Sequence, residues 1–177
     1  REEDGGGQMT ASALNAAPTS GPQLAARTLP VFRAIIYATL AVGVLDAADG
    51  VVFRGLQGQN PIQVLQYIAS SLLGARSFSG GLASAGLGLV VHFAIALVVA
   101  AIYILARRRV AVLRTRWVLL GLLYGAAVWA VMNLVVLPLT SVAHSPITAA
   151  ALVNGVMSHA LFVGLPSAFF AKKVAAA

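Results

Sequence analysis

"LASAGLGLVVHFAIALVVAAIYILARRR", residues 82–109, decides how this chain folds. From Leu82 to Ala106 it holds no Asp, Glu, Lys or Arg, and it then stops on Arg107, Arg108 and Arg109. A bilayer core about 30 Å thick is crossed by roughly 20 helical residues. The run therefore reads as a transmembrane helix with a basic anchor at one face. Three other stretches share its character: Leu29–Phe53, Trp117–Leu139 and Pro146–Ala171. The expected fold is all-α, an integral membrane bundle of four transmembrane helices in one domain over 29–177.

Composition agrees. The chain is 59% hydrophobic and 10% charged, with mean hydropathy +0.88, whereas a soluble domain is about a quarter charged. So few polar residues cannot cover a water-facing surface, and the lipid bilayer is the expected partner. The net charge of +7 does not indicate nucleic acid, because the basic residues sit at the ends of apolar segments, where membrane proteins carry them. With no Cys, disulfides, thiolate metal sites and covalent c-type haem attachment are excluded.

Four spans put the N-terminus, the second loop and the C-terminus on one side. Arg27, Arg33, Arg107, Arg108, Arg109, Arg114, Arg116, Lys172 and Lys173 lie there, against Arg54 and Arg76 opposite. Nine basic residues against two place both termini in the cytoplasm by the positive-inside rule. Residues 1–28 are rich in Gly, Ala, Ser, Thr and Pro and read as a cytoplasmic polar tail, disordered unless a partner orders it. "REEDGGGQ" before Met9 is either an expression remnant or part of an upstream native start. The first apolar run is too long, and the basic residues too far from the N-terminus, for a cleavable signal peptide.

The first outer loop contains "NPIQVLQYIASSLLG", residues 60–74. Asn60 is placed to cap, Pro61 suits the first helical position and Gly74 suits the stop. Ile62, Leu65, Ile68, Ala69 and Leu72 share one face; Gln63, Gln66 and Ser70 share another. A helix over about 61–73 is too short to cross and reads as interfacial. Gly121 and Gly125 stand at GxxxG spacing, and Gly43 with Ala47 forms a second small-xxx-small pair, so these positions are expected at close helix contacts, within the chain or with a second subunit.

"DAADG", residues 46–50, raises the functional question. Apart from Glu2, Glu3 and Asp4, Asp46 and Asp49 are the only acids in the chain. At 1.5 Å per residue from the nearest basic anchor, Asp46 lies about 20 Å deep, Asp49 about 24, His92 about 22, Asn133 about 26 and His159 about 20. Each span thus offers a polar residue at a similar height. An ionised Asp at helix centre costs about 2.5–3.5 kcal/mol, so such residues usually face the bundle and find partners. Two carboxylates three residues apart favour a shared proton or a nearby cation; a histidine could share the proton, and Arg54 could reach back toward Asp49.

The plainest role for this layer is to fix helix register. Proton or small-solute handling is the main alternative, since carboxylate–histidine chains serve as relays. Ligation of a b-type haem by His92 and His159 is a third. Outer His144 reads as a solvated loop residue. A di-metal carboxylate site is disfavoured, with too few ligands and no Glu-x-x-His. No GxSxG, HExxH, P-loop or dinucleotide fingerprint occurs, so the sequence carries no enzyme signal.

"GLVVHFAIALVVAAIY", "LLGLLYGAAVWAVMNLVVLPL" and "SHALFVGLPSAFFAKK" resemble the YagU-like group of small, uncharacterised four-span bacterial inner-membrane proteins, over roughly residues 30–173. The resemblance implies a histidine in span two and another in span four, matching His92 and His159. Asn133, where some relatives would have a histidine, and the Asp-x-x-Asp pair depart from it. The functional expectation is a non-catalytic accessory or scaffold subunit in the bacterial inner membrane, associating with other membrane subunits or with itself as a homo-oligomer.

Overall fold

The computed structural model of the protein describes residues 28–142 and 147–175. The expected tail up to Arg27, His144, and the expected start of the fourth span at Pro146 lie outside them.

The first span is α1, Val31–Gly55. It begins directly after Pro30, whose fixed φ suits a helix start and whose missing N–H costs nothing there. It runs two residues beyond the expected Phe53, which brings Arg54 into the last turn. The Arg54 guanidinium lies over the Tyr67 ring, 4.9 Å from its centroid. It does not turn back to Asp49.

Helix α2, Pro61–Leu73, has the range its local chemistry predicts. The Asn60 side chain accepts from the Gln63 N–H at 2.9 Å, and the Gln63 side chain accepts from the Asn60 N–H at 2.9 Å. Gly74 ends it at φ 58°, a conformation that favours glycine. The direction of its faces is less obvious. Gln66 and Ser70 are buried with Val64 and Ala69, while Ile62, Leu72 and Leu73 are exposed. The Gln66 amide donates to the Gly81 carbonyl at 3.0 Å, and a Cβ on Gly88 would run into the Leu65 carbonyl. The polar edge of α2 is therefore pinned against the second span.

That span is α3, Gly81–Arg109, longer than expected by one residue at its start and three at its end. After a helical turn at Val112–Thr115 comes α4, Trp117–Leu139, and then α5, Ala149–Lys172. Neither is regular throughout. In α4 a π segment, Met132–Val136, gives way to a 3-10 turn at Leu137–Leu139 that contains Pro138; in α5 a π segment, His159–Gly164, immediately precedes Leu165 and Pro166. Proline removes a backbone donor and crowds the carbonyl four residues earlier. A widened π turn just ahead of each proline accommodates that crowding.

One end of the bundle gathers the basic residues. Arg107 is buried and donates to the Ala171 carbonyl at 3.0 Å, and Arg114 donates to the Arg107 carbonyl at 3.2 Å and the Arg108 carbonyl at 2.5 Å. These contacts satisfy carbonyls that a helix C-terminus leaves free. The Leu29 N–H meets the Lys173 carbonyl at 2.8 Å, tying the start of α1 to the end of α5.

The packing is inverted relative to a soluble protein. Ala34, Ala38, Ala100, Ala168 and Ala171 are buried around Tyr103 and Ile104, and Ala96 is buried with Val42 and Val163. Large apolar side chains point outward, among them Leu56 at 84% exposure and Leu82 at 75%. Small residues inside and large ones outside suit helices that gain close packing from each other and solvation from lipid. All four long helices are long and apolar enough to cross a membrane. The architecture is that of a multi-pass membrane protein.

Candidate functional site

Asp46 and Asp49 lie three residues apart on α1 and share a face. Helix α5 runs antiparallel beside them, so the later acid meets the earlier residue. Asn154 Nδ2 donates to Asp49 Oδ2 at 3.0 Å. One turn further along, His159 Nδ1 stands 3.6 Å from Asp46 Oδ1, with the two side chains 21% and 22% exposed. That separation exceeds a hydrogen bond. The Nδ1 atom is enclosed and has no hydrogen bond within the protein. This is the one contact between an acidic and a basic side chain within 4 Å among the described residues.

The seam is not sealed. Asp49 and Asn154 open onto a groove of about 380 Å³ bordered by Val153, Met157 and Leu161, all three of them exposed. The carboxylate therefore sits at the edge of an apolar trench, with a neutral amide as its partner.

The other layer residues go elsewhere. His92 Nε2 donates to the Gly43 carbonyl at 2.9 Å, and the neighbouring Phe93 ring packs where a Gly43 side chain would stand. Gly43 thus admits both residues of α3 against α1. The nitrogen His92 would offer to a haem iron is already engaged by this carbonyl. Asn133 bonds back to its own helix, its Nδ2 donating to the Trp129 carbonyl at 2.9 Å. No three His, Cys, Asp or Glu side chains among the described residues come together as a metal site would need.

Asn154 is the site residue that sequence counting overlooked. The depth rule could have found it. Eighteen residues before Lys172, it lies about 27 Å from the basic end, beside Asp49 at about 24 Å.

On the opposite flank of α5, Gly125 meets the His159 carbonyl and Ala160, and Gly121 meets Gly164 and Ala168. The GxxxG pair closes α4 onto α5 within the chain. This contact holds the backbone of His159 in place while its ring faces Asp46. No known protein family, characterised protein or solved structure matches the chain.

Proposed function

We propose that the chain is a non-catalytic accessory or scaffold subunit of a larger membrane assembly, seated in the bacterial inner membrane with both termini in the cytoplasm. The observation behind this is the Asp49 groove. An acid at that depth is costly unless it is covered and paired, and Asn154 supplies only a neutral donor. A transmembrane helix of another subunit, laid along Val153, Met157 and Leu161, would cover the carboxylate and bring it further donors. The GxxxG seam is used internally, which leaves the groove as the better candidate for subunit contact. The YagU-like resemblance fits this architecture and adds no activity to it.

Because the chain has no Cys, a single Met157→Cys carries a specific photo-cross-linker. In native membranes it should give a discrete adduct that Asp49→Leu removes, while Leu134→Cys on an exposed stretch of α4 gives none. Equal cross-linking at the two positions, or an adduct indifferent to Asp49, overturns the subunit reading.

Orientation has its own test. Helix α2 turns Ile62, Leu72 and Leu73 outward, as a helix lying in the outer interface would. Exposed Ser79 and Thr115 mark the two ends. An impermeant thiol reagent on intact cells should label Ser79→Cys and spare Thr115→Cys; the reverse pattern inverts the topology.

The Asp46–His159 contact favours proton handling as the second reading. Haem binding remains the third and would require His92 to leave Gly43 or to ligate through its other nitrogen; a Soret band in purified protein, lost in His92→Ala, is its signature.

A further inference from the structure

A second opening, of about 300 Å³, lies between α4 and α5 at the basic end, walled by Trp117, Val118, Leu165, Pro166, Phe169 and Phe170. All six walls are apolar, and Pro166 has no N–H to leave unpaired. Two of its wall rings each carry an ammonium group. Lys172 Nζ lies 4.8 Å from the Trp117 ring centroid and Lys173 Nζ 4.7 Å from that of Phe169. Cation–π contact holds each over its ring, and neither ammonium donates a hydrogen bond among the described residues.

Nothing acidic neutralises these cations among the described residues. The only acids there are Asp46 and Asp49, and Asp46 contacts His159, thirteen residues before Lys172, about 20 Å away along α5. The nearby Arg107 is engaged with the Ala171 carbonyl. The site thus pairs an apolar channel with positive charge at one end that no acid among the described residues compensates.

We propose that this groove binds one anionic phospholipid, its acyl chain against the aromatic walls and its phosphate at Lys172 and Lys173. Charge complementarity selects this occupant. A peptide helix would leave the two ammonium groups unmatched unless it carried acids at that height, and a soluble phosphate would leave the apolar walls uncovered. A zwitterionic lipid brings its own cation to a cationic rim. Basic pockets between transmembrane helices are a recognised form of anionic-lipid site. The inference is independent of the subunit reading, since it involves the other end of α5.

Trp117 lines the groove and reports on it directly. Protein in neutral detergent is titrated with phosphatidylglycerol brominated on its acyl chains, and with phosphatidylcholine brominated in the same way. Saturable quenching by the first at concentrations where the second gives little is expected. Trp117→Phe should remove the saturable part, leaving Trp129. Lys172→Gln should weaken binding about fivefold, the weight of one lysine beside an anionic headgroup, whereas Arg109→Gln, which removes the same charge at the same end, should change it less than twofold. Val118→Phe, which fills the groove and alters no charge, should abolish saturation while circular dichroism stays that of the native helix bundle. Equal quenching by the two lipids, quenching that never saturates, or equal losses in Lys172→Gln and Arg109→Gln would each show diffuse attraction to lipid and overturn the site.

Discussion

Along α5, the flank turned toward α4 and the flank turned toward α1 are built from different materials. Toward α4 the contact is backbone on backbone, Gly164 against Gly121 and the His159 carbonyl against Gly125, with the Ala168 methyl group also against Gly121. Toward α1 it is polar side chain on polar side chain, Asp46 with His159 and Asp49 with Asn154, and a groove opens beside it. In lipid, close packing of small residues is a principal source of helix cohesion, while a polar contact between spans averages only about 0.6 kcal/mol. If the α1 flank served cohesion alone, glycine and alanine would serve it better than two acids whose burial is unfavourable. Cohesion accounts for the first flank and does not by itself account for the acids on the second.

Gly125→Leu should have the largest effect on stability. A Cβ there meets the His159 carbonyl and the Ala160 backbone, so α4 and α5 must move apart. Overpacking of a close contact costs about 1–3 kcal/mol or more, and a chain of this length loses about 2–4 °C per kcal/mol. A fall of about 2–12 °C in melting temperature in detergent is expected. Gly50→Leu is the control, because nothing lies within 4 Å of its Cβ position, and its melting temperature should stay within about 2 °C of wild type. If the two variants melt together, the small-residue seam is not what holds α5 to α4.

How much of this was legible beforehand follows the same division. The four spans could be read because apolar length is a property of the chain taken one residue at a time. The third kept both of its expected ends, Trp117 and Leu139, while the ends of the other three moved by one to three residues, because termination depends on local turns such as Pro30 and the Gly80–Gly81 junction. Helix α2 was legible to the residue, since Asn60, Pro61 and Gly74 act within their own turn. What could not be read was direction. The two helices that Gly121 and Gly125 join, the inward turn of Gln66, the capture of Arg54 by Tyr67 and the return of Asn133 onto its own helix all depend on which faces meet. Hydropathy holds no information about that in a bundle whose outside is as apolar as its inside. Depth counting put Asp46 and His159 at one height, but it could not say that His92 would find a carbonyl instead of an acid.

The smaller effects belong to the two acids, and they should differ from each other. Asp46→Leu leaves the enclosed His159 Nδ1 without its counterpart. The loss should fall between the average of about 0.6 kcal/mol for such contacts and their maximum of about 1.7, which is about 1–7 °C in melting temperature. Asp46→Asn preserves shape and an acceptor and should melt within about 1 °C of wild type. Asp49→Leu removes a carboxylate from the edge of an apolar groove and frees only the exposed side of Asn154. In detergent it should therefore be neutral or slightly stabilising, even as it removes the Met157 cross-link in native membranes. Proton uptake into liposomes separates the remaining possibilities: the relay reading requires Asp46→Asn to abolish flux with the fold intact, whereas the subunit reading leaves flux at background in wild type and variant alike. Should Asp49→Leu melt more than about 5 °C low while Asp46→Leu melts as wild type, the α1 flank would be held together at Asp49, and the contrast between a cohesive flank and a functional one would fail.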